Sequence, residues 1–268
     1  MRPLPGRLIL LGHPVAHSLS PRFQNAALQA AGIPLVYETR DVPPEALRGV
    51  IASLAAERAA GNVTIPHKEA FAACCARLSP LAARCAAVNT YWHEEGALVG
   101  DNTDVGGVDA MALALLGAAR ASARVALLGA GGSAAAVLAA VERWGSARLR
   151  LYNRSVERAR ALASRFGAEV EVVTSAGEAL DGATLVVNAT PVGLHDDGMP
   201  VEVELLPRGA AVLDLVYRQG ETAWVRAARA AGHRATDGEG MLVEQGALSF
   251  ERWFGIAPDR DAMWRALH

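Results

Sequence analysis

Lysine is almost missing from this chain. Of its 26 basic residues, 25 are Arg and a single one, Lys68, is Lys. Basic excess is missing too: 28 acidic residues leave a formal net charge of −2, and the pI is about 6.4. A balance of that kind excludes the cationic surface of a nucleic-acid or anionic-membrane binder. Aromatic residues make up only 5%, yet hydrophobic residues reach 51%, so small aliphatic side chains supply the core and wholesale disorder is excluded. Cysteine is scarce, with three residues at 74, 75 and 85. Two are adjacent, which disfavours a relaxed disulfide between them, and the odd count and the lack of Cys-x-x-Cys spacing exclude a disulfide framework or a zinc knuckle. The seven His are scattered along the chain, so no metal is expected. Long apolar runs are absent as well. Residues 8–11 are too few for a signal-peptide core, and nothing approaches the roughly 20 apolar residues of a bilayer span. A cytoplasmic location is the expectation, with the cysteines as small buried apolar residues in a reducing medium.

What is present is alternation. Short β-like runs exchange with longer helical runs, at 7–12, 35–41 and 62–65 for strands and 44–60, 68–76 and 80–86 for helices. Ser20 reads as an N-cap with Pro21 at the first helical position of a helix reaching about residue 31. Strands at 88–92 and 97–101 flank His93-Glu94-Glu95-Gly96, a hairpin signal, so this first block mixes strand directions. Beyond Asp104 the pattern is more regular. Strands at 124–128, 148–152, 169–173, 184–188 and 211–216 alternate with helices at 133–144, 155–166, 175–180 and 221–231. Such alternation with Gly-rich turns predicts a doubly wound α/β domain. Helices at 241–254 and 259–267 close the chain, and the first domain boundary falls in small residues near 103–107.

Gly129-Ala130-Gly131-Gly132-Ser133-Ala134 fits G-x-G-x-x-A directly between a strand and a helix. The first Gly permits the tight turn, the second lets a pyrophosphate approach the backbone, and the small last residue lets helix and strand pack closely. The helix N-terminus offers free N–H groups to phosphate. At the end of the next strand an NAD site usually carries a carboxylate for the ribose hydroxyl. Here the residues are Asn153, Arg154 and Ser155, with Arg158 one helical turn on. A guanidinium there suits a 2′-phosphate, so NADP is the expected cofactor. The alternative for both Arg residues is a solvated surface position in an Arg-rich protein.

Four polar clusters interrupt the first block: His17-Ser18-Leu19-Ser20-Pro21, Asn62 to Lys68, Ala87-Val88-Asn89-Thr90, and Gly100 to Asp104. Each alone is explained by turns or caps, Ser20 and Thr103 among them. Together they offer hydroxyls, amides, a carboxylate and an ammonium at the mouth of an α/β crevice, a set suited to a small polyhydroxylated anion. In succession with Asn153-Arg154-Ser155, Asn188-Ala189-Thr190, Asp214-Leu215-Val216-Tyr217 and 237–245, they resemble the shikimate dehydrogenase family over 12–254.

That resemblance implies reversible reduction of 3-dehydroshikimate to shikimate with NADPH, a step of aromatic amino-acid biosynthesis. It implies an α/β substrate domain with a mixed sheet (1–104), an inserted Rossmann-like NADP-binding domain (105–237), and C-terminal helices (238–268) returning to the first. It places Ser18, Ser20 and Tyr217 at the substrate carboxylate. Thr64, Lys68, Asn89, Asp104 and Gln245 fall at the ring hydroxyls and the reacting oxygen, with Lys68 and Asp104 as the catalytic pair. Thr190 falls on the cofactor side and Met241 near the nicotinamide. Departures are Gln24 where the family often has His, Ala60-Gly61 before Asn62, and 218–222 lacking the common Pro. Rival readings are an NAD-using quinate enzyme, a folate-linked dehydrogenase of the same architecture, and a ligand sensor without activity. The expected partner is a small molecule, and the sequence is compatible with a homodimer without fixing the oligomeric state.

Overall fold

A computed structural model of the chain describes residues 4–167, 169–218 and 220–268. The chain divides into two compact units, 1–104 with 242–268, and 105–241.

The first unit opens with β1 (Arg7–Gly12), α1 (Ser20–Ala30), β2 (Tyr37–Asp41), α2 (Leu47–Ala56) and β3 (Ala59–Val63). It continues with α3 (Lys68–Ala72), β4 (Arg77–Leu78), α4 (Pro80–Cys85), β5 (Thr90–Glu94) and β6 (Ala97–Asp101). Its six strands lie in the order β2-β1-β3-β5-β6-β4. β1, β2 and β3 are parallel, β5 runs antiparallel to β3 and β6, and β4 is parallel to β6. Leu8, Ile9, Leu10 and Leu11 of β1 are all buried, as a strand covered on both faces requires. The expected hairpin turns on Glu95 and Gly96, both with positive φ, as a two-residue turn between twisted strands demands.

Three local readings need correction. Ser20 is the first helical residue rather than the N-cap; Leu19 holds the cap position, and the Ser20 N–H donates to Ser18 Oγ at 3.2 Å. The helix read over 44–60 is a 3₁₀ turn, Pro44–Ala46, then α2, which stops at Glu57. Arg58 turns the chain through φ +47, and Ala59, Ala60 and Gly61 pair with Arg7, Leu8 and Ile9 of β1. Tertiary pairing overrides the helical preference of Ala. Gly61 is obligatory in that strand, since at φ +155 any Cβ would run into the Ile9 carbonyl oxygen. Finally, the helix read over 68–76 ends at Ala72, and β4 occupies residues read as a connection.

The second unit runs α5 (Asp104–Leu116, its first residue belonging to the first unit), β7 (Arg124–Leu128), α6 (Gly132–Val141), β8 (Arg148–Tyr152), α7 (Val156–Ala163) and β9 (Val170–Val172). After α8 (Ala176–Leu180) come β10 (Leu185–Asn188), β11 (Ala211–Asp214), α9 (Ala223–Ala230) and β12 (Ala235–Thr236). All six strands are parallel in the order β12-β11-β10-β7-β8-β9. The winding reverses between β7 and β10, which opens a crevice at their carboxyl ends. α6 is buried from Ala134 to Val141, its small side chains bringing it close to the sheet.

α10 (Gly238–Phe254) begins three residues earlier than expected, where Asp237 Oδ1 accepts from the Glu239 N–H at 3.2 Å. It crosses the second division between units at Met241, and α11 (Arg260–Arg265) packs against α1. One segment departs from the expectation of no long apolar run. Residues 104–122 form 19 helical residues of mean hydropathy 1.2, enough in length and composition to cross a membrane. Its polar ties are those of a folded-domain helix: Asp104 pairs with Lys68, and Asp109 accepts from Trp144 Nε1 at 2.5 Å. The cysteines are also less uniform than expected, since Cys85 is buried while Cys74 and Cys75 are half-buried; none of the three is in a disulfide. Burial pushes the Cys75 thiol up to about 12, so it stays protonated.

One ion cluster ties the edge of the first sheet to α2. Both terminal guanidinium nitrogens of Arg40 hold Glu57, at 3.0 and 2.6 Å, while Arg7 and Ser53 add bonds at 3.2 and 3.1 Å. The Arg40 hydrogen bonds bring the Glu57 carboxyl down from 4.5 to about 2. A carboxyl lowered by folding stabilises the fold above its ordinary pKa, and the gain is lost as pH falls through the window from 4.5 to about 2. In urea titrations Glu57→Gln is therefore expected to be less stable than wild type by about 1 kcal/mol at neutral pH, allowing for solvent screening. The difference should close near the bottom of that window; a constant difference throughout would assign it to packing.

Candidate active site

Lys68 opens α3, immediately after β3 and the Thr64 to His67 turn. Asp104 opens α5 after β6. The parallel and antiparallel strands β3, β5 and β6 thus deliver Lys68, Asn89 and Asp104 to neighbouring points. Lys68 Nζ donates to Asp104 Oδ2 at 2.5 Å, with the two side chains 15% and 6% exposed. The other Asp104 oxygen accepts from Asn89 Nδ2 at 2.8 Å. The same amide reaches Gln245 Oε1 of α10 at 3.1 Å, and Gln245 Nε2 donates to the Leu242 carbonyl at 2.7 Å. Of the residues proposed from sequence, the structure therefore joins Lys68, Asp104, Asn89 and Gln245 in one hydrogen-bonded group.

Thr64 stands at the end of β3, its N–H bonded to Leu11 O at 2.9 Å and its methyl packed where Gly12 has no Cβ. Ser18 and Ser20 lie in the turn between β1 and α1, Ser18 half-buried and Ser20 buried. His67, beside Lys68, is buried and committed through Nε2 to the Val42 carbonyl at 2.6 Å, so it holds the loop. Gln24, the departure from the family's usual His, is buried and donates to Gly246 O at 3.0 Å, tying α1 to α10.

Sequence reasoning assigned no substrate or cofactor contact to four buried residues behind this group. Asn62 Nδ2 donates to Asn89 O at 3.0 Å and to Ser249 Oγ at 2.9 Å, while its Oδ1 accepts from Tyr37 OH at 2.7 Å. Thr103 donates its N–H to Asn89 Oδ1 at 2.7 Å and meets Ser249 Oγ at 3.0 Å. A polar residue inside an otherwise apolar strand, as at Asn62, was the available signal.

In the second unit, Gly129 follows β7 at φ +109, and a Cβ there would lie 2.8 Å from the Ala189 carbonyl carbon and oxygen. Gly131 caps α6, and a Cβ on it would meet nothing within 4 Å, so the loop keeps an open backbone face at the helix N-terminus. Ala130, Gly132 and Ser133 are half-buried around that face, and Ala134 is buried against the sheet. Ser155 caps α7 by accepting from the Arg158 N–H, and Asn153 Nδ2 donates to Ser155 O at 2.9 Å. The guanidinium groups of Arg154 and Arg158 are exposed and hold no hydrogen bond or ion pair among the described residues. Arg148 and Arg150, by contrast, pair with Glu169 and Glu171. A loop open to pyrophosphate, with two free cations past the next strand, fits a dinucleotide carrying a 2′-phosphate.

Thr190 is fixed at this crevice by Asn188, whose Oδ1 accepts its N–H at 2.9 Å and its hydroxyl at 2.7 Å. Asn188 Nδ2 in turn donates to Asp214 Oδ1 at 2.9 Å, and Thr222 donates to Asp214 Oδ2 at 2.8 Å. Burial pushes the Asp214 carboxyl above its ordinary range, against the hydrogen bonds that favour its charge; Asp237 is raised by burial too. Tyr217 lies half-buried beyond β11, and Met241 is buried in α10 within this unit. The sequence reading quoted Asn188 and Asp214 without giving either a role.

Comparison with known proteins agrees with this arrangement. Three family models match: the shikimate dehydrogenase substrate binding domain at 10–91, shikimate/quinate 5-dehydrogenase at 111–193, and the shikimate 5′-dehydrogenase C-terminal domain at 238–268. The chain is 47% identical to the shikimate dehydrogenase (NADP(+)) of Rubrobacter xylanophilus, over 96% of this chain and 94% of that one. It resembles the crystal structure of shikimate 5-dehydrogenase from Thermus thermophilus in complex with NADP(H) and shikimate (TM-score 0.88, 41% identity, covering 97% of this chain and 98% of that one). Quinate dehydrogenase from Corynebacterium glutamicum in complex with NAD shares the fold at 29% identity (TM-score 0.87, 97% of each chain). With curated relatives of this identity aligned over nearly its full length, the chain belongs to the shikimate dehydrogenase family.

Proposed function

We propose that the chain catalyses the reversible NADP-dependent interconversion of 3-dehydroshikimate and shikimate, in the supply of aromatic amino acids. The observation that carries this reading is the Lys68–Asp104 contact of 2.5 Å, bound through Asn89 to Gln245. Residues 1–104 with the C-terminal helices act as the substrate domain and 105–237 as the cofactor domain. Its expected setting is the cytoplasm.

Ketone reduction adds a hydride to carbon and a proton to oxygen. Bound NADPH supplies the hydride. Lys68 then has two tasks at the carbonyl oxygen: its ammonium offsets the negative charge that develops there, and it delivers the proton. Arg stays protonated under all working conditions and serves only the first. Asp104, acceptor-only when ionised, holds the ammonium in place and takes a hydrogen bond from a ring hydroxyl. Asn89, Gln245 and Thr64 orient the remaining hydroxyls, and Ser18, Ser20 and Tyr217 receive the carboxylate. On the cofactor side, the backbone from Gly129 to Ala134 receives the pyrophosphate. Arg154 and Arg158 would hold the 2′-phosphate and Asn153 and Ser155 the adenosine end, with Thr190 and Met241 as the residues that would meet the nicotinamide.

The quinate reading shares the pocket but calls for a carboxylate after β8. Asn153 and Arg154 stand there instead.

Absorbance of the reduced nicotinamide on adding shikimate and NADP+ tests the activity directly. Lys68→Ala should lower kcat about a thousandfold with a much smaller change in the KM for shikimate. Lys68→Arg should be nearly as impaired, and normal turnover in that variant would remove the proton-transfer role. Arg154→Ala should raise the KM for NADPH by about tenfold or more while leaving NADH kinetics unchanged. Equal kcat/KM for NADPH and NADH in the wild type would overturn the 2′-phosphate assignment.

A further inference from the structure

Ser249 is wholly buried in the middle of α10, a position where Ala would be the better helix former and would bury no hydroxyl. The chain is otherwise rich in Ala, so the hydroxyl needs an account. Three polar groups converge on its oxygen: Asn62 Nδ2 at 2.9 Å, Thr103 Oγ1 at 3.0 Å and the Gln245 carbonyl at 3.0 Å. Their chemistry fixes every proton. An amide nitrogen only donates and a carbonyl only accepts. The Ser249 hydrogen therefore goes to Gln245 O, and its two lone pairs receive Asn62 and Thr103.

The Thr103 hydrogen is thereby drawn to Ser249, and its oxygen is left as an acceptor beside Asn89 Nδ2, 2.9 Å away, whose two hydrogens are shared among Thr103, Asp104 and Gln245. The Thr103 N–H meanwhile holds Asn89 Oδ1. The Asn89 amide is clamped in one orientation, with its nitrogen facing Asp104 and Gln245. Without Ser249 Oγ, the Thr103 hydrogen can swing to Asn89 Oδ1, 3.1 Å away, and an Asn62 N–H is left unmatched in the interior.

We propose that the Ser249–Thr103 hydroxyl pair is a positioning device for the reaction centre. It commits the Asn89 amide to Asp104 and Gln245, and so presents the Lys68–Asp104 pair to substrate ready-made. The two hydroxyls act through Asn89 and Gln245. Gln245 and Ser249 are one turn apart on α10, so the helix delivers a contact residue and its brace from the same face. This rests on the reading of Lys68, Asp104, Asn89 and Gln245 as the groups that meet substrate.

The test compares Ser249→Ala, Thr103→Val and the double variant with wild type in kcat, KM for shikimate, KM for NADP+ and Tm. Each single variant should lose about tenfold in kcat or in kcat/KM for shikimate, with KM for NADP+ within about twofold. Because the hydroxyls act as a pair, the double variant should be no worse than the more impaired single. If Ser249→Ala does not fold, Thr103→Val, which keeps the shape of a buried side chain, carries the test alone. Shikimate kinetics within twofold of wild type, with only Tm reduced, would make the cluster packing and overturn the proposal. Losses that multiply in the double variant would also overturn it, as two independent contacts. Lys68→Ala separates the two levels. Full activity in that variant sinks the catalytic reading of Lys68 on which this proposal rests; an inactive Lys68→Ala beside fully active hydroxyl variants sinks this proposal alone.

Discussion

A charged amine and a carboxylate drawn out of water need each other. At 15% and 6% exposure, Lys68 and Asp104 have lost most of their hydration, and that loss is tolerable only while every remaining lone pair on the carboxylate is served. The surrounding structure is organised to serve them. β3 ends where Lys68 can begin a helix, β6 ends where Asp104 can begin another, and α10 returns from the far end of the chain with Gln245. An Asn rather than a second cation completes the carboxylate, so the pair keeps its charge balance. Removing either member would strand the other, which makes the site's chemistry and the unit's folding interdependent.

The second unit solves a different problem with the same economy. Its sheet carries no charged group in the middle of β7, β10 or β11, and its functional groups gather where strands end. Asp214 is the buried exception. It accepts from Asn188, Thr222 and the Val216 N–H, and thereby fixes the turns after two adjacent strands at once. Those turns carry Thr190 and Tyr217, while Gly129 packs against Ala189 between them. One carboxylate therefore shapes much of the rim of the cofactor crevice.

Much of this was legible in the chain itself. The glycine loop declared itself through its strand-turn-helix setting, and the lone Lys through its place in a polar run. Arg154 and Arg158 were marked by what should have stood there and did not. Local periodicity failed where long-range pairing decided the outcome. Ala59 and Ala60 favour helix and became a central strand because β1 lies alongside. Ser20 looked like a cap until Ser18 took the Ser20 N–H. The inner polar residues were the hardest to read. Nothing in the sequence near Ser249 or Tyr37 says that each will face Asn62, because those partners are 187 and 25 residues away. A hydroxyl in a helix is read as indifferent until its neighbours are known.

The chain leaves the first unit at Asp104 and re-enters it at Leu242, which has a consequence for synthesis on the ribosome. Residues 105–241 are contiguous and emerge as a complete set. The first unit, although its strands are made earliest, still lacks Gln245, Ser249, Trp253 and Arg252 when the second is finished. Until they arrive, Asn62, Thr90 and Asp101 stand without the partners that α10 brings to them. The half of the molecule translated first is thus the half that must wait longest for its last polar contacts.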